Sequence, residues 1–238
     1  DEPTPEPTNA PSDEPTAFPT PSPTPSPTLS PTDVPVNPPF VKFTPGGSAR
    51  CMDNSIPAYH MAPGAVNKWV ILVDADDYCF TLSDCQSKSN LFTSNGSPNT
   101  VAGTSYPILS GDSGVNPSFY NWNRVNFTLC DGFLGSGSRP GSTGGLYFQG
   151  RLILSQILND LLLTQNMNAA SDILFVGNSW GGTAVYLQAD FFKTLIPANV
   201  NFKALAVSGF LRISDLLPGT ILGIDTYEQA VNLHGAVT

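Results

Sequence analysis

The chain has 238 residues, of which 40% are hydrophobic and 12% are charged, and its formal net charge is −9. This length is enough for one sizeable hydrophobic core, or at most two small ones. The acidic balance and the lack of any Lys/Arg cluster exclude a basic nucleic-acid-binding protein. The longest apolar runs fall far short of the roughly 18 residues that a membrane span needs, and the composition excludes a long charged coiled coil.

The first 39 residues are a low-complexity tract rich in Pro, Thr and Ser. They hold 14 of the 23 prolines and six acidic residues but no Lys or Arg, so they carry −6 of the −9 net charge. Proline favours the extended polyproline II conformation. The tract also has too little apolar surface to offset the entropy cost of ordering the chain. We therefore predict a disordered spacer over residues 1–39 and one α/β domain over residues 40–238. A tether into an extracellular wall is the alternative role for the tract.

Cysteine content and glycosylation sequons indicate an oxidising compartment. The four cysteines are Cys51, Cys79, Cys85 and Cys130. None forms a C-x-x-C pair, and the even count next to a Pro/Thr-rich tract is typical of a secreted or cell-wall protein. Two N-x-S/T sequons predict N-glycosylation at Asn95 and Asn126. The chain starts at Asp1 with no visible signal peptide, which we interpret as a processed or excerpted N-terminus.

Apolar runs typical of buried strands alternate with helical spacings in the rest of the chain. In chain order, the predicted elements are strands at 68–73 and 124–129, a helix over 146–163, a strand at 172–176, a helix over 182–195 and a strand at 203–207. Strands and helices that alternate with short joins predict an α/β fold with a mostly parallel sheet and flanking helices.

One motif in this framework carries chemistry. Residues 177–181 read Gly-Asn-Ser-Trp-Gly, a G-x-S-x-G pattern placed directly after a predicted strand and before a predicted helix. In that context the pattern predicts a sharp turn that exposes the Ser179 hydroxyl as a nucleophile. The alternative is a structural glycine turn that happens to contain a serine.

Five segments occur in an order seen in one protein family. They are residues 51–60, residues 116–123, Cys130-Asp-Gly, Leu146-Tyr-Phe-Gln-Gly and the Ser179 turn. Over residues 51–235 the chain resembles the pectin acetylesterase/Notum family of extracellular carboxylesterases. The resemblance implies an α/β-hydrolase fold and a serine nucleophile, here Ser179. It also implies action on O-acyl esters, typically an acetyl group on pectin or a fatty acyl group on a secreted signalling protein.

The same resemblance implies roles for further residues. By composition alone, four cysteines allow three pairings. The resemblance implies Cys51–Cys130 and Cys79–Cys85. It also makes the backbone N–H groups of Trp180, Asp77 and Tyr78 the candidates for the oxyanion hole.

Two departures from the family pattern affect the predicted site. Where the family has a Glu, a run of glycines and a Trp before the cysteine at 79, this chain has Asp74-Ala-Asp-Asp-Tyr78. A carboxylate repels a developing oxyanion, and a Cβ adds strain where glycine is needed. Trp180 also stands where the family has a small residue, so we expect its bulk to crowd the acyl pocket.

The second departure concerns the catalytic base. In α/β-hydrolases the triad follows the order Ser, acid, His, and the family's acid and His lie beyond position 238. The only histidine after Ser179 is His234, in a stretch that is not catalytic in the family. His234 is thus a candidate base, with packing as the alternative role, and His60 is expected to be structural. We interpret the domain as incomplete at its C-terminus.

These observations predict a secreted serine carboxylesterase that hydrolyses O-acyl esters on polysaccharide or protein through an acyl-serine intermediate. We expect a monomer with no cofactor, no metal, no nucleic-acid partner and no membrane span. The alternative is a catalytically inactive relative that binds an extracellular polysaccharide or acylated ligand. The missing base and the altered glycine run favour this alternative, whereas the intact G-x-S-x-G favours the enzyme.

Overall fold

The computed structural model describes residues 38–94, 100–101, 106–210 and 224–236. The predicted spacer up to residue 37 and the sequon residue Asn95 lie outside these ranges, so both stay predictions. No helix in the described ranges combines the length and the apolar character needed to cross a membrane.

A mostly parallel sheet forms the centre of the domain. The strands are β1 (Phe40–Phe43), β2 (Tyr59–Ala62), β3 (Lys68–Asp74), β4 (Thr100–Val101), β5 (Asn123–Thr128), β6 (Ser142–Thr143), β7 (Leu146–Tyr147), β8 (Asp172–Asn178) and β9 (Asn201–Val207). Seven of them form one sheet in the order β4-β1-β2-β5-β3-β8-β9, while β6 and β7 form a separate hairpin. Strands β5, β3, β8 and β9 run parallel, and β1, β2 and β4 add an antiparallel side. The predicted α/β class is confirmed.

The central strand β3 is buried on both faces, as its unbroken apolar run predicts. Trp69, Ile71 and Val73 pack into one core cluster, whereas Val70 and Leu72 face a second cluster on the other side of the sheet. Four helices lie within the described residues. They are α1 (Leu82–Lys88), α2 (Gly150–Leu163), α3 (Trp180–Leu195) and α4 (Ile224–His234), of which α2 and α3 supply most of the helical residues in the first cluster.

The predicted helix over 146–163 begins four residues too early. Leu146–Tyr147 instead pairs with Ser142–Thr143 as the hairpin β6–β7. The turn between them consists of Gly144 and Gly145, with φ of 59° and 86°, which glycine adopts without a Cβ penalty. Helix α2 therefore starts at Gly150.

Asn126, the second predicted glycosylation site, lies within the sheet. This residue lies in the middle of β5, paired with His60 of β2 on one side and with Leu72 of β3 on the other. Its side-chain oxygen is buried. A glycan needs an accessible position, which half-buried Asn126 offers only in part, and glycosylation at Asn126 stays a prediction.

Two disulfides fasten the domain, with the pairing that the family resemblance implies. Cys51–Cys130 ties the segment before β2 to the end of β5 across 79 residues. Cys79–Cys85 joins the loop after β3 to α1, and its two cysteines are six positions apart in the sequence. All four cysteines are buried.

The two disulfides differ in the loop that they close, which predicts unequal effects on stability. Restriction of the unfolded chain by the longer loop is worth about 4 kcal/mol, and by the shorter loop about 2 kcal/mol. Paired alanine replacement of Cys51 and Cys130 is therefore expected to lower the unfolding free energy by about twice as much as paired replacement of Cys79 and Cys85. Urea denaturation of the two variants checks this, and equal losses would contradict the loop-length argument.

Candidate active site

Ser179 sits at a sharp turn between β8 and α3, with φ 54° and ψ −121°. Few residues other than glycine adopt such angles, and they persist only where the surroundings hold them. The Ser179 N–H donates to the carbonyl of Val207 at 2.9 Å, and its carbonyl accepts from the Thr183 N–H at 3.0 Å. The residue is exposed at the carboxyl end of the parallel strands. This is the geometry that the G-x-S-x-G pattern predicts.

The glycines of the motif are required by close packing. A Cβ on Gly177 would lie 2.1 Å from the carbonyl oxygen of Gly181, and a Cβ on Gly181 would lie 2.3 Å from that of Val73. One on Gly182 would lie 2.6 Å from the carbonyl oxygen of Val207. The turn is therefore wedged between the ends of β3 and β9, and this wedge keeps Ser179 in its strained conformation.

Trp180 is the first residue of α3, so its backbone N–H has no partner within the helix. The N-terminus of a helix favours negative charge, which suits an oxyanion next to Ser179. The indole packs edge-on against the ring of Tyr78, with centroids 5.2 Å apart. The side chain lines a cavity and leaves it open, although the sequence led us to expect crowding.

The Tyr78 N–H, another predicted oxyanion donor, already donates a hydrogen bond within the loop. The N–H of Tyr78 donates to the Asp77 carboxylate at 2.8 Å. The other oxygen of Asp77 pairs with Lys88 Nζ at 3.0 Å, and Lys88 also donates to the carbonyl of Tyr78 at 3.0 Å. Asp77 therefore acts as an internal acceptor on the Tyr78 N–H and must turn away before that group can bind an oxyanion.

Further carboxylates surround this loop. Partial burial, together with the neighbouring Asp74 and Asp77, raises the pKa of Asp76 above its usual range. Asp74 accepts a hydrogen bond from the Tyr106 hydroxyl at 2.8 Å, and burial next to this carboxylate raises the pKa of Tyr106 to about 12. The negative charge expected from the altered glycine run is thus present at this edge of the sheet.

A largely apolar cavity of about 550 Å³ opens beside the Ser179 turn. It is lined by Tyr78, Phe133, Leu134, Trp180, Thr183, Tyr186, Leu187, Gly209, Phe210 and Tyr227. These residues come from the loop after β3, the loop after β5, α3, the end of β9 and α4. The cavity is much larger than an acetyl group needs, so it suits an apolar acyl chain.

His234 does not lie beside Ser179. It is fully buried on α4, with Nε2 3.0 Å from the carbonyl oxygen of Cys79 and 3.6 Å from the sulfur of the Cys79–Cys85 disulfide. The rings of Phe133 and Phe148 pack against it. Burial lowers its pKa to about 4, so the imidazole is neutral at physiological pH. This environment corresponds to the packing role that was the alternative in the sequence.

The other histidine is also remote from the serine. His60 lies on β2, and strands β5 and β3 separate β2 from β8. His234, Cys79 and Cys85 are the one group of metal-ligand type found in the described part of the chain. Both sulfurs are joined in the disulfide and offer no thiolate to a metal.

Sequence reasoning named Ser179 and Trp180 as site residues but did not name most of the cavity walls. Phe133, Tyr186, Phe210 and Tyr227 are far apart in the chain, and no spacing links them. The only signal near one of them was the Cys130-Asp-Gly segment, which leads into the loop that carries Phe133.

Comparisons with known proteins agree with this architecture. A family model described as Pectinacetylesterase matches residues 29–238. Pectin acetylesterase 11 of Arabidopsis thaliana is 32% identical over 195 residues, which cover 79% of this chain and 49% of that protein. The palmitoleoyl-protein carboxylesterase NOTUM of Schmidtea mediterranea is 35% identical over 171 residues, covering 68% of this chain and 32% of the relative. The chain thus spans half or less of the length of these relatives.

The fold is shared with a solved structure. The Wnt deacylase Notum from Drosophila superposes with a TM-score of 0.74 at 22% identity, covering 84% of this chain and 61% of that one. The similarity confirms the predicted α/β-hydrolase-like fold.

The wedged turn predicts a steric effect at Gly181. In Gly181→Ala the new Cβ collides with the carbonyl of Val73, and we expect a loss of roughly 2–3 kcal/mol in unfolding free energy. Gly46→Ala is the matched control, since nothing lies within 4 Å of its added Cβ. Urea denaturation measures both, and similar stabilities would show that the turn is not wedged.

The buried imidazole predicts a pH effect on stability. As the pH falls from 6.5 towards 4, the unfolded chain binds a proton at residue 234 that the folded chain does not bind. The unfolding free energy should therefore fall over this window by up to about 3 kcal/mol more in the parent chain than in His234→Gln. Denaturation curves at pH 7, 5.5 and 4 measure the difference, and parallel pH profiles would contradict the assignment.

Proposed function

This chain belongs to the pectinacetylesterase family, and from that premise we propose that it is a carboxylic ester hydrolase with Ser179 as its nucleophile. The observation that carries the proposal is the strained, exposed Ser179 between β8 and α3, next to an apolar cavity. A packing role would not require an exposed polar residue with a positive φ directly before Trp180, which lines the cavity.

The reaction follows from this placement. Ser179 Oγ attacks the ester carbonyl carbon and gives its proton to a base, and the carbonyl oxygen becomes an oxyanion. The Trp180 N–H and the α3 N-terminus stabilise that charge. As the tetrahedral intermediate collapses, the base returns this proton to the leaving oxygen, so the alcohol departs and an acyl-serine remains. Water then attacks the acyl carbon, and the carboxylic acid leaves as the serine regains its proton.

The cavity favours one class of acyl group. An acetyl group would fill a small part of about 550 Å³, whereas a medium or long apolar chain would contact the aromatic lining. We therefore favour an O-acyl ester with such a chain, carried by a polysaccharide or a protein. An extracellular monomer with a Pro/Thr-rich spacer over residues 1–39 fits the paired cysteines and the composition.

A second candidate is ligand binding without turnover. Two observations favour it. The Tyr78 N–H donates to Asp77, and His234 is buried against the Cys79–Cys85 disulfide. In the described residues, neither histidine lies where it could take the serine proton. An acylated ligand would then rest in the cavity without being hydrolysed.

Labelling with a fluorophosphonate probe decides between these functions, because the probe reacts with a serine that a base has activated. We expect the chain to be labelled and Ser179→Ala not to be labelled. His234→Gln is the second variant, and it should be labelled like the parent if the imidazole only packs. Absence of labelling in the folded parent chain would reject the hydrolase and leave the binding function.

A further inference from the structure

The loop that follows β5 has an unusual backbone. Gly132, Leu134 and Gly135 have φ of 74°, 56° and 78°, so three residues in a four-residue stretch are left-handed. Leu134 is not a glycine and holds this conformation at a cost. Such strain persists only where surrounding contacts over-determine it, and it often marks a functional segment.

Asp131 supplies the first set of these contacts. Its side chain is fully buried, and its two carboxylate oxygens accept from the N–H groups of Gly135 at 2.9 Å and Gly137 at 3.0 Å. The carboxylate also lies at the N-terminus of α2, because a Cβ on Gly150 would be 2.1 Å from Asp131 Oδ2. A negative charge is favourable at that end of a helix.

Gln188 supplies the second set of contacts. It lies on α3, the helix that begins directly after Ser179, and it is 1% exposed. Its Nε2 donates to the carbonyl of Leu134 at 3.1 Å and to the Ser136 hydroxyl at 2.9 Å. The nucleophile's own helix is thereby linked to the strained loop.

The loop presents its apolar side chains to the cavity. Phe133 and Leu134 both line it, and the ring of Phe133 packs against Tyr227 of α4 with centroids 5.6 Å apart. Asp131 and Gln188 do not line the cavity themselves. They act on it only through the backbone that they hold.

We propose that Asp131 and Gln188 are positioning residues that fix the Phe133–Leu134 wall and thereby set the preference for long acyl chains. The proposal rests on the proposed function of the Ser179 site. The wall contacts the acyl chain and not the ester bond, so its loss should affect long esters more than acetate. A residue that merely stabilised the fold would affect both alike.

The test measures binding separately from catalysis. 1-Decanol, a neutral chain that the nearby carboxylates do not repel, is titrated into the full chain by calorimetry. Gln188→Met keeps the side-chain volume and removes both donated hydrogen bonds, and Asp131→Asn leaves one backbone N–H without an acceptor. We expect each variant to bind decanol about tenfold more weakly. The ratio of kcat/KM for p-nitrophenyl decanoate to that for p-nitrophenyl acetate should fall by a similar factor.

Tyr59→Phe is the matched control. It removes a partly buried hydrogen bond from the Tyr59 hydroxyl to Asp160, two residues that do not line the cavity. Decanol binding and the ester ratio should stay as in the parent. Unchanged decanol binding in folded Gln188→Met overturns the proposal, as does equal weakening in Tyr59→Phe or no binding by the parent. Decanol binding that responds to the variants while no ester is hydrolysed supports the wall and rejects the hydrolase.

Discussion

The close approach of the Ser179 turn to its two neighbouring strands is the constraint on which the site depends. Gly181 touches the carbonyl of Val73 on β3, and Gly182 touches that of Val207 on β9, with no space for a Cβ at either position. Because β3, β8 and β9 are parallel, their carboxyl ends meet at one edge of the sheet. The wedge therefore places the serine, the N-terminus of α3 and the mouth of the cavity together.

Sequence patterns within single segments predicted the buried strands and the Ser179 turn. The apolar runs of β3 and β8 gave the buried strands because only a doubly covered strand is apolar on both faces. The G-x-S-x-G pattern predicted the turn because a Cβ at either glycine would collide with neighbouring backbone. The hairpin at Gly144–Gly145 was missed because the apolar residues after it also fit a helical spacing. The cavity was missed because it assembles from segments with no common pattern.

The positive end of the α3 dipole and a group of carboxylates lie close to each other beside Ser179. The first N–H of α3 has no partner within the helix and can bind an oxyanion. Nearby, Asp74 ends β3, Asp76 and Asp77 follow in the loop, and Asp77 accepts from the Tyr78 N–H. Lys88 holds that carboxylate in place from α1. While the Tyr78 N–H donates to Asp77, the Trp180 N–H is the predicted donor that an oxyanion can still use.

The imidazole packed on the Cys79–Cys85 disulfide has a practical consequence. His234 and the cavity residue Tyr227 belong to the same helix, and Tyr78, also in the cavity wall, directly precedes Cys79. A thiol reagent in the buffer that opened this disulfide would therefore loosen two sides of the cavity at once. Burial of both sulfurs protects the bond from such a reagent in the folded chain, so its opening and the loss of the cavity walls would come with unfolding.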